Sequence, residues 1–97
     1  MKRYIYELAK VSVPQALKIL KTDAENGIAD AQYYLGMMHA GGLGVPYDPV
    51  LAHMWYNLSG LRGDKGAKDQ IKTIEKKMSP QQIEQAQEKV RDRKPRK

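Results

Sequence analysis

Residues 35–59 read LGMMHAGGLGVPYDPVLAHMWYNLS, and the nine residues at the centre of this stretch decide the fold. Gly41-Gly42-Leu43-Gly44-Val45-Pro46-Tyr47-Asp48-Pro49 cannot continue a helix. Three glycines favour backbone angles outside the helical region, and two prolines lack the N–H that a helix interior needs. Both flanks nevertheless carry helical spacing. Ala31, Leu35 and Met38 recur three and four residues apart before the break, and Leu51, Ala52, Trp55, Leu58 and Ser59 do so after it. The segment therefore reads as helix, loop, helix. Asp48 is the expected N-cap of the second helix, with Pro49 at its first turn. Gly36 lies inside the first helix, where glycine is roughly 1 kcal/mol less favourable than alanine. A residue without a side chain at that point predicts close approach by a neighbouring helix.

Outward from this hinge the same pattern continues. Pro14 opens a helix with Ala16, Leu17, Leu20 and Ala24 on one face, Lys18, Lys21 and Glu25 in water, and Gly27 at its end. Gly60 and Gly63 close the helix that follows the loop. Asp64 then caps another, with Ala67, Ile71, Ile74 and Met78 on one face. Ser79-Pro80-Gln81-Gln82 is a capping box of the S-x-x-Q type. It starts a last helix using Ile83, Ala86, Gln87 and Val90 that ends near Pro95. Tyr4, Ile5 and Leu8 suit a further short helix at the start. No segment sustains the alternation of a strand. The expectation is an all-α chain of four to five helices whose short connections make consecutive helices antiparallel neighbours.

Composition narrows the function. The chain has 97 residues, enough for one domain with a modest core, and its 41% hydrophobic and 29% charged residues suit a soluble globular protein. It has no Cys, which excludes disulfide frameworks, zinc–thiolate sites and a cysteine nucleophile. Glu7, Lys10, Ser12 and Lys18 interrupt the first twenty residues, so these lack the apolar core of a signal peptide. No run approaches the ~18 apolar residues of a membrane span. A cytoplasmic protein without membrane contact is expected. Charge is asymmetric: residues 1–50 carry five Lys/Arg and five Asp/Glu, whereas residues 51–97 carry twelve and six. RDRKPRK, residues 91–97, holds five of those positives. It reads as a basic flexible tail, either a solvated end or a phosphate-binding arm.

Catalytic patterns are missing. His39 and His53, the two histidines, have no His or carboxylate four residues on, as a helical metal pair needs. Both are expected to pack or to face solvent. Ser12, Ser59 and Ser79 lack a G-x-S-x-G context, and Ser79 is explained as a cap. Asp23 with Glu25, and Glu84 with Glu88, lie on lysine-bearing solvated faces. The GGLG segment lacks the G-x-x-x-x-G-K-[ST] pattern of a phosphate cradle, and no strand precedes it. No catalytic residue, metal site or cofactor is expected.

A repeat is visible instead. The helix bearing Ala52, Trp55, Tyr56, Ser59 and Gly63 echoes the one bearing Ala16, Leu20, Ala24 and Gly27. The spacing matches helix-turn-helix solenoid repeats. ENGIADAQYYLGMMHAGGLGVPYDPVLAHMWYNLSGLRG, residues 25–63, resembles a Sel1-like repeat, a relative of the tetratricopeptide repeat. The resemblance rests on Gly27, Ala31, Leu35, Gly36, Gly42, Gly44, Val45, Asp48, Ala52, Trp55, Tyr56 and Gly63. His39 departs from a usual Tyr, and Ser59 from a usual Ala.

The resemblance implies a short right-handed solenoid of antiparallel helix pairs over residues 1–90, with the best repeat at 27–63 and a helical cap at 64–90. In that geometry the odd loop joins helix A to helix B of one repeat, and Val45 tucks into the core. It also implies a protein-interaction adaptor that receives a peptide or helix on its concave face. The residues expected to line that face are Asp30, Tyr33, Met37 and Ala40, with Lys65, Lys68, Asp69 and Lys72 as a mainly basic rim suited to an acidic partner. The alternative for Tyr33 and Met37 is packing against the preceding helix. An inhibitor of one enzyme would be a special case of the same function. The rival class is a nucleic-acid-binding module acting through RDRKPRK, disfavoured because no helix is dense in Arg and no aromatic residues interleave a basic stripe. A monomer is expected.

Overall fold

The structure, a computed structural model, describes residues 12–93. Among these residues it has five helices and no strand: α1 (Val13–Glu25), α2 (Ala29–Gly41), α3 (Pro49–Leu61), α4 (Lys65–Glu75) and α5 (Pro80–Arg93). The expected short helix around Tyr4, Ile5 and Leu8 lies outside the described residues.

Four of the five helices begin where side-chain chemistry satisfies their first N–H groups, and α2, preceded by Ile28, begins without a side-chain cap. The Asp48 carboxylate accepts from the Leu51 N–H (3.1 Å), and the Asp64 carboxylate accepts from Gly66 and Ala67 (2.9 and 3.3 Å). Ser79 and Gln82 form the reciprocal box expected at α5 (3.0 and 3.1 Å). A second such box escaped the reading of the sequence. Ser12 caps α1, exchanging bonds with Gln15 at 3.4 Å, so α1 begins one residue before Pro14. The signal, Ser12-Val13-Pro14-Gln15, has the same S-x-x-Q spacing as the box at α5.

The odd loop ends α2 and aims α3. Gly42 adopts φ +64 as the left-handed C-cap, and the Leu43 N–H returns to the Met38 carbonyl at 2.8 Å. The Asp48 N–H donates to the His39 carbonyl at 3.0 Å, tying the end of the loop to the last turn of α2. Val45 is only half-buried and stands outside the main core.

Helices α2 and α3 are antiparallel. Ala29 meets Ser59, Gly36 meets Ala52 and Tyr56, and His39 meets Asp48. The close approach expected at Gly36 is present: a Cβ there would fall 2.8 and 2.9 Å from Tyr56 ring atoms and 3.3 Å from the Ala52 carbonyl oxygen. Ser59 is fully buried and donates its hydroxyl to the Ala29 carbonyl (2.9 Å), so a serine replaces a small apolar residue without an unsatisfied donor. Helices α3 and α4 are antiparallel too, with Gly60 beside Ala67 and His53 beside Glu75.

Helix α3 is the centre of the molecule. Its run from Ala52 to Tyr56 is wholly buried, because neighbours cover it on all sides. Trp55 enters a core with Leu20, Ala24, Leu35 and Val90 from α1, α2 and α5. Tyr56, one residue and ~100° further round, enters a second core with Ala67 and Ile74 of α4, Met78 of the connection that follows, and Ala86 of α5. The outcome is a short α-solenoid with α2 and α4 on one side and α1, α3 and α5 on the other.

One boundary differs from the expectation. The basic tail was expected from residue 91, but Arg91, Asp92 and Arg93 belong to α5. Two contacts explain it. The Arg93 guanidinium binds the Glu25 carboxylate through two hydrogen bonds (2.5 and 3.0 Å) and lies 4.8 Å over the Trp55 ring. The remainder of the tail, residues 94–97, lies outside the described residues.

Candidate functional site

A groove of about 280 Å³ runs between α2 and α4. Met37, Ala40 and Gly41 form one wall, Tyr56 of α3 the floor, and Gln70, Thr73 and Ile74 with Lys77 the other wall. It is an apolar floor with a polar edge and one cation, the anatomy of a small protein-binding surface.

Of the expected lining, Met37 and Ala40 are in the groove. Tyr33 packs on Tyr56 (ring centroids 5.7 Å) and reaches the start of α4 at Gly66, beside the groove and not in its lining. It does not turn back on α1. Asp30 stands in the first turn of α2, where a carboxylate faces the positive end of the helix dipole. Its charge acts on the Tyr34 hydroxyl, whose pKa is raised mainly by burial and then by Asp30. Asp30 is not part of the groove wall. Lys65, Lys68, Asp69 and Lys72 are all exposed, and Lys65, Lys68 and Lys72 follow one another at three and four residues on a separate stripe of α4. The Lys68 stem covers Gly60 of α3, and Lys72 sits in the last turn of α4, where a cation suits the helix dipole. The groove cation is Lys77 instead.

Gln70 and Thr73 share a face of α4, and Lys77 follows in the turn after it. Which face of α4 turns towards α2 was not legible in the sequence. That depends on the register in which Ala67 and Ile74 dock on α3.

The two histidines are both buried. The His53 Nδ1 accepts from the Asn57 amide (2.9 Å), so the Nε2 carries the proton and donates to the Glu75 carboxylate at 2.7 Å. Glu75 is 22 residues away in sequence, which is why local spacing missed the pair. Both ring nitrogens are engaged, so His53 has no lone pair to offer a substrate or metal. The arrangement ties α3 to the end of α4. Among the described residues no group of three His, Asp or Glu is placed to hold a metal ion.

His39 makes a test possible. Burial pushes its pKa below the ordinary value and Lys21 adds to this, while the Pro46 carbonyl and Asp48 act the other way. Between that lowered value and about 6.5, the ordinary value for His, the unfolded chain binds a proton that the folded chain does not. Stability therefore rises with pH across this window and declines as pH falls through it. His39→Gln should flatten that part of the profile, measured as urea midpoints at steps from pH 7.5 to 5. Identical slopes for the two proteins would remove His39 as the cause. Tyr56 differs in kind: burial, with a smaller effect from Tyr33, pushes its hydroxyl up to about 12. The floor of the groove is therefore uncharged at neutral pH.

No helix among the described residues is long and apolar enough to cross a membrane. Compared with known families, residues 29–64 match the family model of the Sel1 repeat. The match spans α2, the odd loop, α3 and the Asp64 cap. No curated protein matches the chain.

Proposed function

On the premise that this chain is a Sel1-like repeat protein, we propose that it is a non-catalytic adaptor holding a partner protein in the α2/α4 groove. Sel1 repeats generally mediate protein–protein interaction and are typically non-catalytic. The observation that carries the proposal is the groove itself, with its Tyr56 floor, Met37 wall and Lys77 edge. Its volume accepts one large apolar side chain of a helix or extended segment, and Lys77 favours an acidic residue beside that anchor. The engaged nitrogens of His53 support the non-catalytic part.

Met37 is 38% exposed, so Met37→Glu changes the groove without opening the core. The expected result is a tagged pull-down from source-cell lysate in which one protein partner survives nuclease and ~0.5 M salt. Met37→Glu should weaken capture at least tenfold while leaving the melting curve in place. Capture of nucleic acid alone, lost at high salt, would replace this proposal with the basic-tail reading.

A further inference from the structure

We infer that the outer face of α1 and α2 is a docking surface, and that its occupant is the chain's own amino-terminal segment, residues 1–11, laid antiparallel to α1.

The face is located by what its neighbours touch. Leu20 of α1 enters the core. Lys21, ~100° round the helix, lines a cleft with Leu51 and Trp55 of α3 and Arg93 of α5. Ile19 lies ~100° the other way, and Asp23 follows it one turn on. Both are therefore on the side of α1 turned from α3 and α5. Ile19 is 37% exposed. On α2, Gly36 marks the side that meets α3. Tyr34 and Met38 are each two residues, or ~200°, from Gly36 and so lie on the opposite side. Both are half-buried. Asp30 stands one turn before Tyr34, close enough for its charge to act on the Tyr34 hydroxyl. The two helices join at the turn between them, where the Asp23 carbonyl accepts from the Ile28 N–H (3.1 Å). The result is an apolar strip of Ile19, Tyr34 and Met38 with the Asp23 and Asp30 carboxylates at one end.

Residues 1–11 read MKRYIYELAKV and match this strip in three ways. Tyr4, Leu8 and Val11 recur at helical spacing, with Ile5 beside Tyr4, which gives one apolar stripe. Lys2, Arg3 and Lys10 against Glu7 leave a net +2, which balances Asp23 and Asp30. The length also fits. The segment runs directly into Ser12, the cap of α1, so only a short connection is available and it favours an antiparallel neighbour. The ten steps from Val13 to Asp23 span ~15 Å, and a helix over residues 2–11 spans about the same. Lys2 and Arg3 then arrive beside Asp23 and Asp30, with Tyr4 and Ile5 over Tyr34 and Ile19. The tether selects this occupant over a second copy, because it gives the segment an effective concentration that a free chain does not reach.

The chain has no cysteine, so an introduced pair reports one distance. The full chain carrying Ile5→Cys and Ile19→Cys is treated with a short bis-maleimide cross-linker, then analysed by denaturing gel and mass spectrometry. The expected product is a monomer with its two cysteines joined. Ile5→Cys with Lys72→Cys, on the exposed stripe of α4, should give at least tenfold less of the joined monomer. A joined dimer in place of the monomer would make a second copy the occupant and overturn the inference. Equal yields from the two pairs, or no joined monomer from the first, would overturn it too. In the cysteine-free chain, Tyr4→Ser with Leu8→Ser should lower the melting temperature by about 5 °C or more. An unchanged melting temperature would mean that the segment leaves the strip uncovered.

Discussion

Truncating Tyr56 to alanine should lower the free energy of unfolding by roughly 3–5 kcal/mol, the usual loss for a large buried aromatic. The ring is 2% exposed and is shared by several contacts. It sits against Gly36 of α2, beside Tyr33, and within the core formed with Ala67 and Ile74. No neighbour can collapse into its place, because α2 and α4 are held apart across it and form the two walls above. Against a typical total of about 5–15 kcal/mol, the loss brings a protein of this size close to unfolding at 37 °C. Tyr56→Phe keeps the ring and should stay within about 1 kcal/mol of wild type. Urea denaturation of the three proteins checks both statements. A phenylalanine variant as weak as the alanine variant would show that the hydroxyl, and not the ring, carries the contacts.

Replacing Gly36 with alanine should also destabilise, by about 2 kcal/mol net, although helix propensity alone predicts a gain of roughly 1 kcal/mol. The added Cβ would stand 2.8 Å from one Tyr56 ring carbon and 2.9 Å from another. A free side chain would swing away, but this ring is buried. The third neighbour, 3.3 Å away, is the Ala52 backbone oxygen, which moves only with α3 as a whole. Separating α2 from α3 would stretch the Ser59–Ala29 hydrogen bond at one end and the Asp48–His39 bond at the other. Gly36→Leu should leave little folded protein. A denaturation midpoint that rises in Gly36→Ala would mean that the crossing is looser than these distances say.

Much of the fold was legible because its determinants are local. Caps, terminal glycines and apolar periodicity act within four or five residues, and the Asp48, Asp64 and Ser79 caps lie where the sequence places them. The missed Ser12 cap was equally local and had the same spacing. The candidate site was only partly legible. Met37 and Ala40 reached the groove because α2 presents one face to α3 and the next to the groove. The lysines did not, because a stripe of Lys at helical spacing gives no sign of which way it faces.

The sequence by itself determined the helices among the described residues, their order and most of their ends, the lack of a cysteine, and a glycine where two helices cross closely. Tertiary structure alone decided the rest. It paired His53 with Glu75 across 22 residues and Arg93 with Glu25 across 68. It sent Trp55 and Tyr56 into two different cores, and it laid the Arg62 guanidinium against Gly27. The physical reason is range. Backbone propensity and capping are settled by neighbours in the chain, whereas the environment of a side chain is settled by the packing register of helices whose contacting residues are far apart in sequence.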